Sequence, residues 1–203
     1  MGVDATDHHK EPDGPPPSLP SFCREDIAQV LLCEAQIAAR VAELGAEITR
    51  DYAGAPVTVM GVMDGACVFL SDLVRHLDLP CRVDFVAVQS YGAGTESSRS
   101  LEVKKGPSHP VAGEWVLVVE DIVDSGRTLA WLRGDLERKG ADVRLCSLLD
   151  KPSRRETEVV VDYVGFEVPD VFVVGYGIDF AYRYRNLPYV AVLKREIYER
   201  GAL

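Results

Sequence analysis

Short apolar runs, polar breaks and longer helical repeats alternate along the chain. The sharpest of these boundaries lies in Trp115-Val116-Leu117-Val118-Val119, a continuous apolar run that stops at Glu120 and Asp121. A β-branched run of this kind suits a strand buried on both faces. Two further apolar residues, then Asp124 and Ser125-Gly126-Arg127-Thr128, lead to helical spacing over residues 129–139. The change of period puts the polar turn at the carboxyl end of the strand, where open α/β sheets bind ligands.

The same reading divides the rest of the chain. Ser21 is placed to cap a long helix through about Tyr52, because Ile27, Val30, Leu31, Ile37, Val41, Leu44 and Ile48 recur at three- and four-residue steps. Gly54-Ala55-Pro56 ends it, and residues 57–63 form the first central strand. A helix through Val68, Leu70, Leu73, Val74 and Leu77 follows, then a strand over 82–88. Residues 92–100 hold Gly, Ser and Thr with almost no apolar residue, the composition of a mobile loop. After the central turn come a strand over 143–149, a short strand at 172–174 and a strand at 189–193 that closes the sheet. Alternating strands and helices predict an α/β fold, a parallel sheet covered on both faces.

Composition narrows the class. A chain of 203 residues suits one core, and 47% hydrophobic residues suit a soluble globular domain. Its 22 basic and 32 acidic residues leave a net charge of −10, which argues against a nucleic-acid surface. Cys23, Cys33, Cys67, Cys81 and Cys146 are odd in number and form no C-x-x-C pair, so a reducing cytoplasm is the expected setting. No apolar run reaches membrane-spanning length, and the start lacks a signal-peptide core. Met1-Gly2-Val3-Asp4-Ala5-Thr6 matches the bare acylation pattern, but its acid and the missing basic patch argue against it. Residues 1–18, rich in Asp, His and Pro, are expected to be a disordered tail with solvated His8 and His9, leaving 19–203 as the folded domain.

The central turn has two chemical halves. Glu120 and Asp121 can accept hydrogen bonds from a sugar diol or help hold a hard cation such as Mg²⁺. The stretch Asp124-Ser125-Gly126-Arg127-Thr128 can cradle an anion with turn and helix N–H groups, aided by two hydroxyls and a glycine that permits close approach. Acids beside a phosphate cradle suggest a phosphorylated ribose.

The run VLVVEDIVDSGRTL resembles the phosphoribosyl-pyrophosphate (PRPP) motif of type I phosphoribosyltransferases, and its third acid, Asp124, resembles the 6-oxopurine branch, the hypoxanthine-guanine phosphoribosyltransferases. The resemblance covers residues 59–198. It implies a mostly parallel central sheet flanked by helices, with a small hood subdomain drawn mainly from 151–203 and part of the N-terminal segment. A receiver domain, which also ends an apolar strand in acids, fits less well: the acids lie past the midpoint, and Asp150 is followed by Lys151-Pro152.

On this resemblance Asp64 and Gly65, in Met63-Asp64-Gly65-Ala66, bind pyrophosphate in a loop that often holds a cis peptide. The family commonly has Lys-Gly-Gly there; Asp64 adds no positive charge, which leaves main-chain N–H groups as the binders. Ser90-Tyr91-Gly92 would open the flexible catalytic loop. Lys151 would face the purine 6-oxygen, to which an ammonium can only donate. Phe172 would stack on the base, Val173 would read its edge through the backbone, and Asp179 would line the purine and help Glu120 and Asp121 hold Mg²⁺. Arg185 would bind pyrophosphate, with Arg183 a possible mis-registration of that role.

The implied reaction is purine salvage, in which PRPP and hypoxanthine or guanine give IMP or GMP and pyrophosphate. Asp124 would be the general base. Homodimers or homotetramers are the expected assembly, without nucleic acid or membrane. Two rivals stay open: a phosphoribosyltransferase preferring xanthine, orotate or adenine, and a PRPP-fold regulator that senses nucleotides and binds RNA.

Overall fold

The computed structural model describes residues 19–91 and 100–199. Its main sheet has six strands, and a second sheet has three.

The centre of the main sheet is β5, Trp115–Val123, flanked by β2, Val57–Val62, and β6, Asp142–Asp150, both parallel to it. Its alternate residues enter two cores. Leu117 and Val119 pack with α1, Glu34–Tyr52, and α2, Cys67–Leu73; Val116 and Val118 pack with Leu129, Leu132 and Leu136 of α3, Arg127–Arg138. The expected burial on both faces is therefore present. The strand runs further than the apolar run, passing through both acids to Val123, so the turn begins at Asp124.

β3, Cys81–Tyr91, is parallel to β2, and β4, Ser100–Lys105, pairs antiparallel with β3 at the sheet edge. Sequence periodicity missed β4, because Glu102, Lys104 and Lys105 leave it only two apolar residues, the charged character of an edge strand. β7, Tyr163–Glu167, extends the other edge and was also missed. Its Gly165 lies so close to β6 that a Cβ there would stand 2.4 Å from the Leu148 carbonyl oxygen.

Two expectations are corrected. The N-terminal helix does not run from Ser21: residues Ile27–Leu32 form β1, and α1 begins at Glu34. The apolar steps of 27–31 fit a helix locally, but Ile27, Val30 and Leu32 pair with Leu193, Ala191 and Val190 of β9, Val190–Leu193. The break is marked by Cys33, whose N–H donates to Gln36 Oε1 at 2.9 Å at the start of α1. Nor does the 189–193 strand close the main sheet. It is the middle of the small sheet, between β1 and β8, Val173–Val174. The chain ends its described part in α4, Arg195–Glu199, which periodicity did not mark.

Candidate active site

The carboxyl ends of the parallel strands β2, β5 and β6 lie at one edge of the main sheet, and the 175–187 segment, which links β8 to β9, meets that edge at Gly65. Glu120 and Asp121 are each 9% exposed, carried inward by the end of β5. Asp121 Oδ1 accepts the Ile122 N–H at 2.8 Å, and the Asp121 N–H reaches Glu120 Oε1 at 3.3 Å. Burial raises the proton affinity of both acids, and Asp121 pushes Glu120 up further; nearby Arg185 partly offsets the rise at Asp121. Among the described residues neither acid forms an ion pair. Two buried, mutually repelling carboxylates suit a hard divalent cation.

Asp179 does not join them. Its Oδ1 pairs with Arg185 Nη2 at 2.8 Å and its Oδ2 accepts the Tyr182 N–H at 2.9 Å. The described residues contain no cluster of three potential metal-ligating side chains, so the expected set of Glu120, Asp121 and Asp179 is not assembled as one group. A cation held by Glu120 and Asp121 would take its other oxygens from substrate or water, the usual habit of Mg²⁺.

The Met63–Asp64 peptide after β2 is cis. Within this turn the Ala66 N–H donates to the Val62 oxygen at 3.3 Å and the Cys67 N–H to the Asp64 oxygen at 3.2 Å. Among the described residues the N–H groups of Asp64 and Gly65 have no acceptor, which fits main-chain anion binding. Gly65 is where the turn after β2, the end of β5 and the 175–187 segment meet. A Cβ on it would lie 1.8 Å from Asp121 Oδ2, and one on Gly177 would lie 2.2 Å from the Gly65 oxygen.

Gly126, at φ +79°, precedes the first turn of α3, which carries Arg127 and Thr128. Ser125 Oγ accepts the Arg127 N–H at 3.4 Å, while the Ser125 carbonyl accepts the N–H groups of Glu156 and Thr157 at 3.0 Å each. Only glycine fits at 126, since a Cβ would meet the Thr157 oxygen at 2.6 Å.

Beside this turn lies a cavity of about 420 Å³, lined by Asp124, Lys151, Phe172, Val173 and Asp179. It also takes in Ile122, Arg154 and Tyr198, which sequence reasoning missed. Lys151 is 6% exposed, and its Nζ donates to the Val171 oxygen at 2.7 Å. Burial lowers its pKa, against the pull of Asp124 and Asp170. Asp124 Oδ1 accepts from Arg154 Nε at 2.7 Å, and Arg154 Nη1 lies 3.5 Å from Asp170. Phe172, 36% exposed, stacks on Tyr198 with centroids 4.8 Å apart. The sequence signal for Arg154 was its place three residues after Lys151; Tyr198 carried none. A cavity of about 400 Å³ at the opposite end of the strands, beside Arg82, Glu114 and Trp115, holds none of the expected site residues.

The two arginines separate. Arg185 Nη1 donates to the Gly177 oxygen at 2.6 Å, beside the contact with Gly65, whereas Arg183 pairs with Asp26 at 3.6 Å and lies over the Tyr184 ring. Ser90 and Tyr91 end β3, with backbone pairing to Leu101 and Ser100 of β4; Gly92 and the rest of that loop lie outside the described residues.

Residues 31–181 match the phosphoribosyl transferase domain family. Hypoxanthine-guanine phosphoribosyltransferase of Bacillus subtilis is 46% identical over 177 residues, 87% of this chain and 98% of that protein. The chain belongs to the hypoxanthine-guanine phosphoribosyltransferase family. A structure of hypoxanthine phosphoribosyltransferase from Staphylococcus aureus superposes with a TM-score of 0.84 at 40% identity, covering 88% of this chain and 97% of that one. A longer relative, the bifunctional protein TilS/HprT of Listeria monocytogenes, is 49% identical over 85% of this chain, which spans only 27% of its length. The PRPP motif read in residues 116–129 lies within the matched domain.

Proposed function

We propose that this protein transfers the phosphoribosyl group of PRPP to hypoxanthine or guanine, giving IMP or GMP and pyrophosphate in purine salvage. One observation carries the reading: Asp124, Lys151, Phe172, Val173 and Asp179, from distant parts of the chain, line one cavity that adjoins the phosphate cradle.

The 5′-phosphate of PRPP sits on the N–H groups and hydroxyls of Asp124 to Thr128, and the ribose hydroxyls face Glu120 and Asp121. Pyrophosphate lies between the free N–H groups of Asp64 and Gly65 and the guanidinium of Arg185. The base enters between Phe172 and the Asp124 side. Lys151 turns one of its three N–H donors to the 6-oxygen, and the backbone of Val173 reads the base edge. The bond from ribose carbon 1 to the pyrophosphate oxygen breaks as purine N9 bonds to that carbon, and Asp124 takes the proton from N7. Glu120 and Asp121 would hold Mg²⁺, which would supply charge neutralisation for the departing pyrophosphate. Arg185 meets the same developing charge with a preorganised cation.

The small sheet, with the segments leading into it, serves as the hood over the base. Ser90 and Tyr91, at the end of β3, with Gly92 open the catalytic loop, whose role is to exclude water from an oxocarbenium-like centre. A reducing cytoplasm fits the five free cysteines, and the net charge of −10 weighs against a nucleic-acid partner; a homodimer or homotetramer without a membrane partner is carried over from the family resemblance. No helix of the described residues is long and apolar enough to cross a membrane.

The test is an ultraviolet assay of the purified protein with PRPP and Mg²⁺, offering hypoxanthine, guanine, xanthine, adenine and orotate separately. Turnover of the first two alone is expected. Turnover of xanthine alone, or PRPP binding without transfer to any base, overturns the assignment.

A further inference from the structure

The segment that carries Asp179 and Arg185 is held to the main body by a bond that the mechanism above does not use. Of residues 175–184, Gly175, Tyr176, Gly177, Ala181, Tyr182 and Tyr184 all have positive φ. For four non-glycine residues this is a conformation that L side chains avoid, and it persists only where the surroundings hold it. Regular strand pairing does not supply the hold, since the segment contains only the isolated bridges Gly175 to Ile178 and Phe180 to Arg183.

Backbone bonds such as that from the Tyr176 N–H to the Leu187 oxygen at 2.8 Å hold the segment to itself, and tyrosine hydroxyls tie it to the rest of the molecule. Tyr176, at φ +50° and 6% exposed, donates to Asp72 Oδ2 at 2.6 Å. Tyr184, at φ +75°, donates to Asp26 Oδ2 at 2.7 Å. Asp72 lies on α2, the helix that begins two residues after Gly65, and its Oδ1 is occupied by Arg75. The first bond therefore ties the Asp179 segment to the element that carries the Asp64-Gly65 turn. Between the two ends of this tie Gly177 rests on the Gly65 oxygen, and Gly65 rests on the Asp121 carboxylate, with no room for a methyl group in either contact. Gly177 also exchanges hydrogen bonds with Arg185, its N–H donating to the Arg185 oxygen at 3.0 Å and its oxygen accepting from Nη1 at 2.6 Å.

We propose that Tyr176 is a positioning residue for the pyrophosphate half of the site: its hydroxyl, fixed by Asp72, sets Gly177 against Gly65 and so sets Arg185 relative to Asp121. The inference rests on the phosphoribosyl-transfer reading above. The purine half has its own supports, because the Lys151 N–H donates to the Val123 oxygen at 2.9 Å and the Leu193 N–H to the Phe172 oxygen at 2.8 Å. Loss of the Tyr176 hydroxyl should loosen one half and leave the other.

Tyr176→Phe keeps the buried ring and removes the donor. Calorimetric titration of the full chain with Mg²⁺ and inorganic pyrophosphate should show affinity reduced about tenfold, the scale of one hydrogen bond to a charged group. The KM for hypoxanthine in the transfer assay should stay within about twofold on the same argument. Asp72→Asn keeps an acceptor and should restore most of the affinity. Asp72→Ala should match Tyr176→Phe, and the double variant should be no worse than either alone. Unchanged pyrophosphate affinity in both Tyr176→Phe and Asp72→Ala overturns the proposal. So does equal weakening of pyrophosphate and hypoxanthine accompanied by a lower melting temperature, which marks a merely structural bond. Should Tyr176→Phe not fold, Asp72→Ala carries the same comparison. An unaltered protein that binds Mg²⁺ and pyrophosphate but transfers to no purine defeats the functional reading and leaves this inference open to the titration. Normal transfer with no effect of the variants defeats this inference alone.

Discussion

The turn after β5 and the 175–187 segment face each other across one site, yet they are held in place by opposite means. The turn hangs from a strand whose residues Val116 to Val119 are fully buried, with parallel partners on both sides. Apolar burial fixes the strand that carries it, and the turn's own polar groups are only partly engaged, Asp124 with Arg154 and the Ser125 oxygen with Glu156 and Thr157. The segment has little regular pairing, six residues at positive φ, and hydroxyl bonds to Asp72 and Asp26. Its polar groups are spent on holding its shape as well as on chemistry. A site can thus be rigid on one side through non-directional packing and on the other through a few directional bonds. The second kind is the more easily broken by a single atom.

The largest expected effect tests chemistry on the packed side without moving it. Asp124→Asn should lower kcat about 10²–10⁴-fold, the usual contribution of a positioned general base, and change PRPP binding only a few-fold. Steady-state kinetics measure the split, and near-normal turnover removes Asp124 from the base role.

Gly177→Ala attacks the contact between the two regions. With φ +100° and a Cβ 2.2 Å from the Gly65 oxygen, alanine is strained in conformation and in space. A stability loss of about 1–3 kcal/mol, with a raised KM for PRPP, is expected in denaturant melts and kinetics. Gly134→Ala gives the contrast on the packed side. Gly134 lies in the middle of α3, where the nearest neighbour of an added Cβ is the flexible Arg138 guanidinium at 3.6 Å. Alanine there should stabilise by about 0.5–1 kcal/mol, through helix propensity. If both glycine variants change stability in the same direction, the contrast between the two regions fails.

The smallest effect is a slope with pH. Burial lowers the pKa of Lys151 in the folded chain, while the unfolded chain keeps its proton to about 10.4. Between those values the unfolded state binds more protons, so folding becomes more favourable as pH rises. The stability of the unaltered chain relative to Lys151→Met should therefore increase with pH in the window just below about 10.4. A flat or falling difference in urea melts shows that Lys151 is not desolvated.

Much of the packed side was legible in the chain. A β-branched run ending in acids and then changing to helical spacing identified β5, its turn and α3, because burial on two faces leaves a local record. The acid cluster was less legible. Glu120, Asp121 and Asp179 are all near the site, but Asp179 is turned to Arg185, a preference that depends on a residue six positions away and on the φ values between them. Arg154 and Tyr198 were missed, since a lone arginine or tyrosine becomes a pocket wall only when distant elements meet.

The chain by itself determined the strand–turn–helix unit at 115–138, the alternation that builds the parallel sheet, and the chemical types assembled at its carboxyl end, because period and polarity are local properties. Tertiary structure alone decided that Ile27–Leu32 is a strand, that Val190–Leu193 belongs to the small sheet, and that Arg185 rather than Arg183 meets Gly177. In each case the deciding partner lies far along the chain or in a backbone conformation that periodicity does not encode. β1 needs β9, more than 150 residues away, to satisfy its hydrogen bonds, and no local pattern announces that partner.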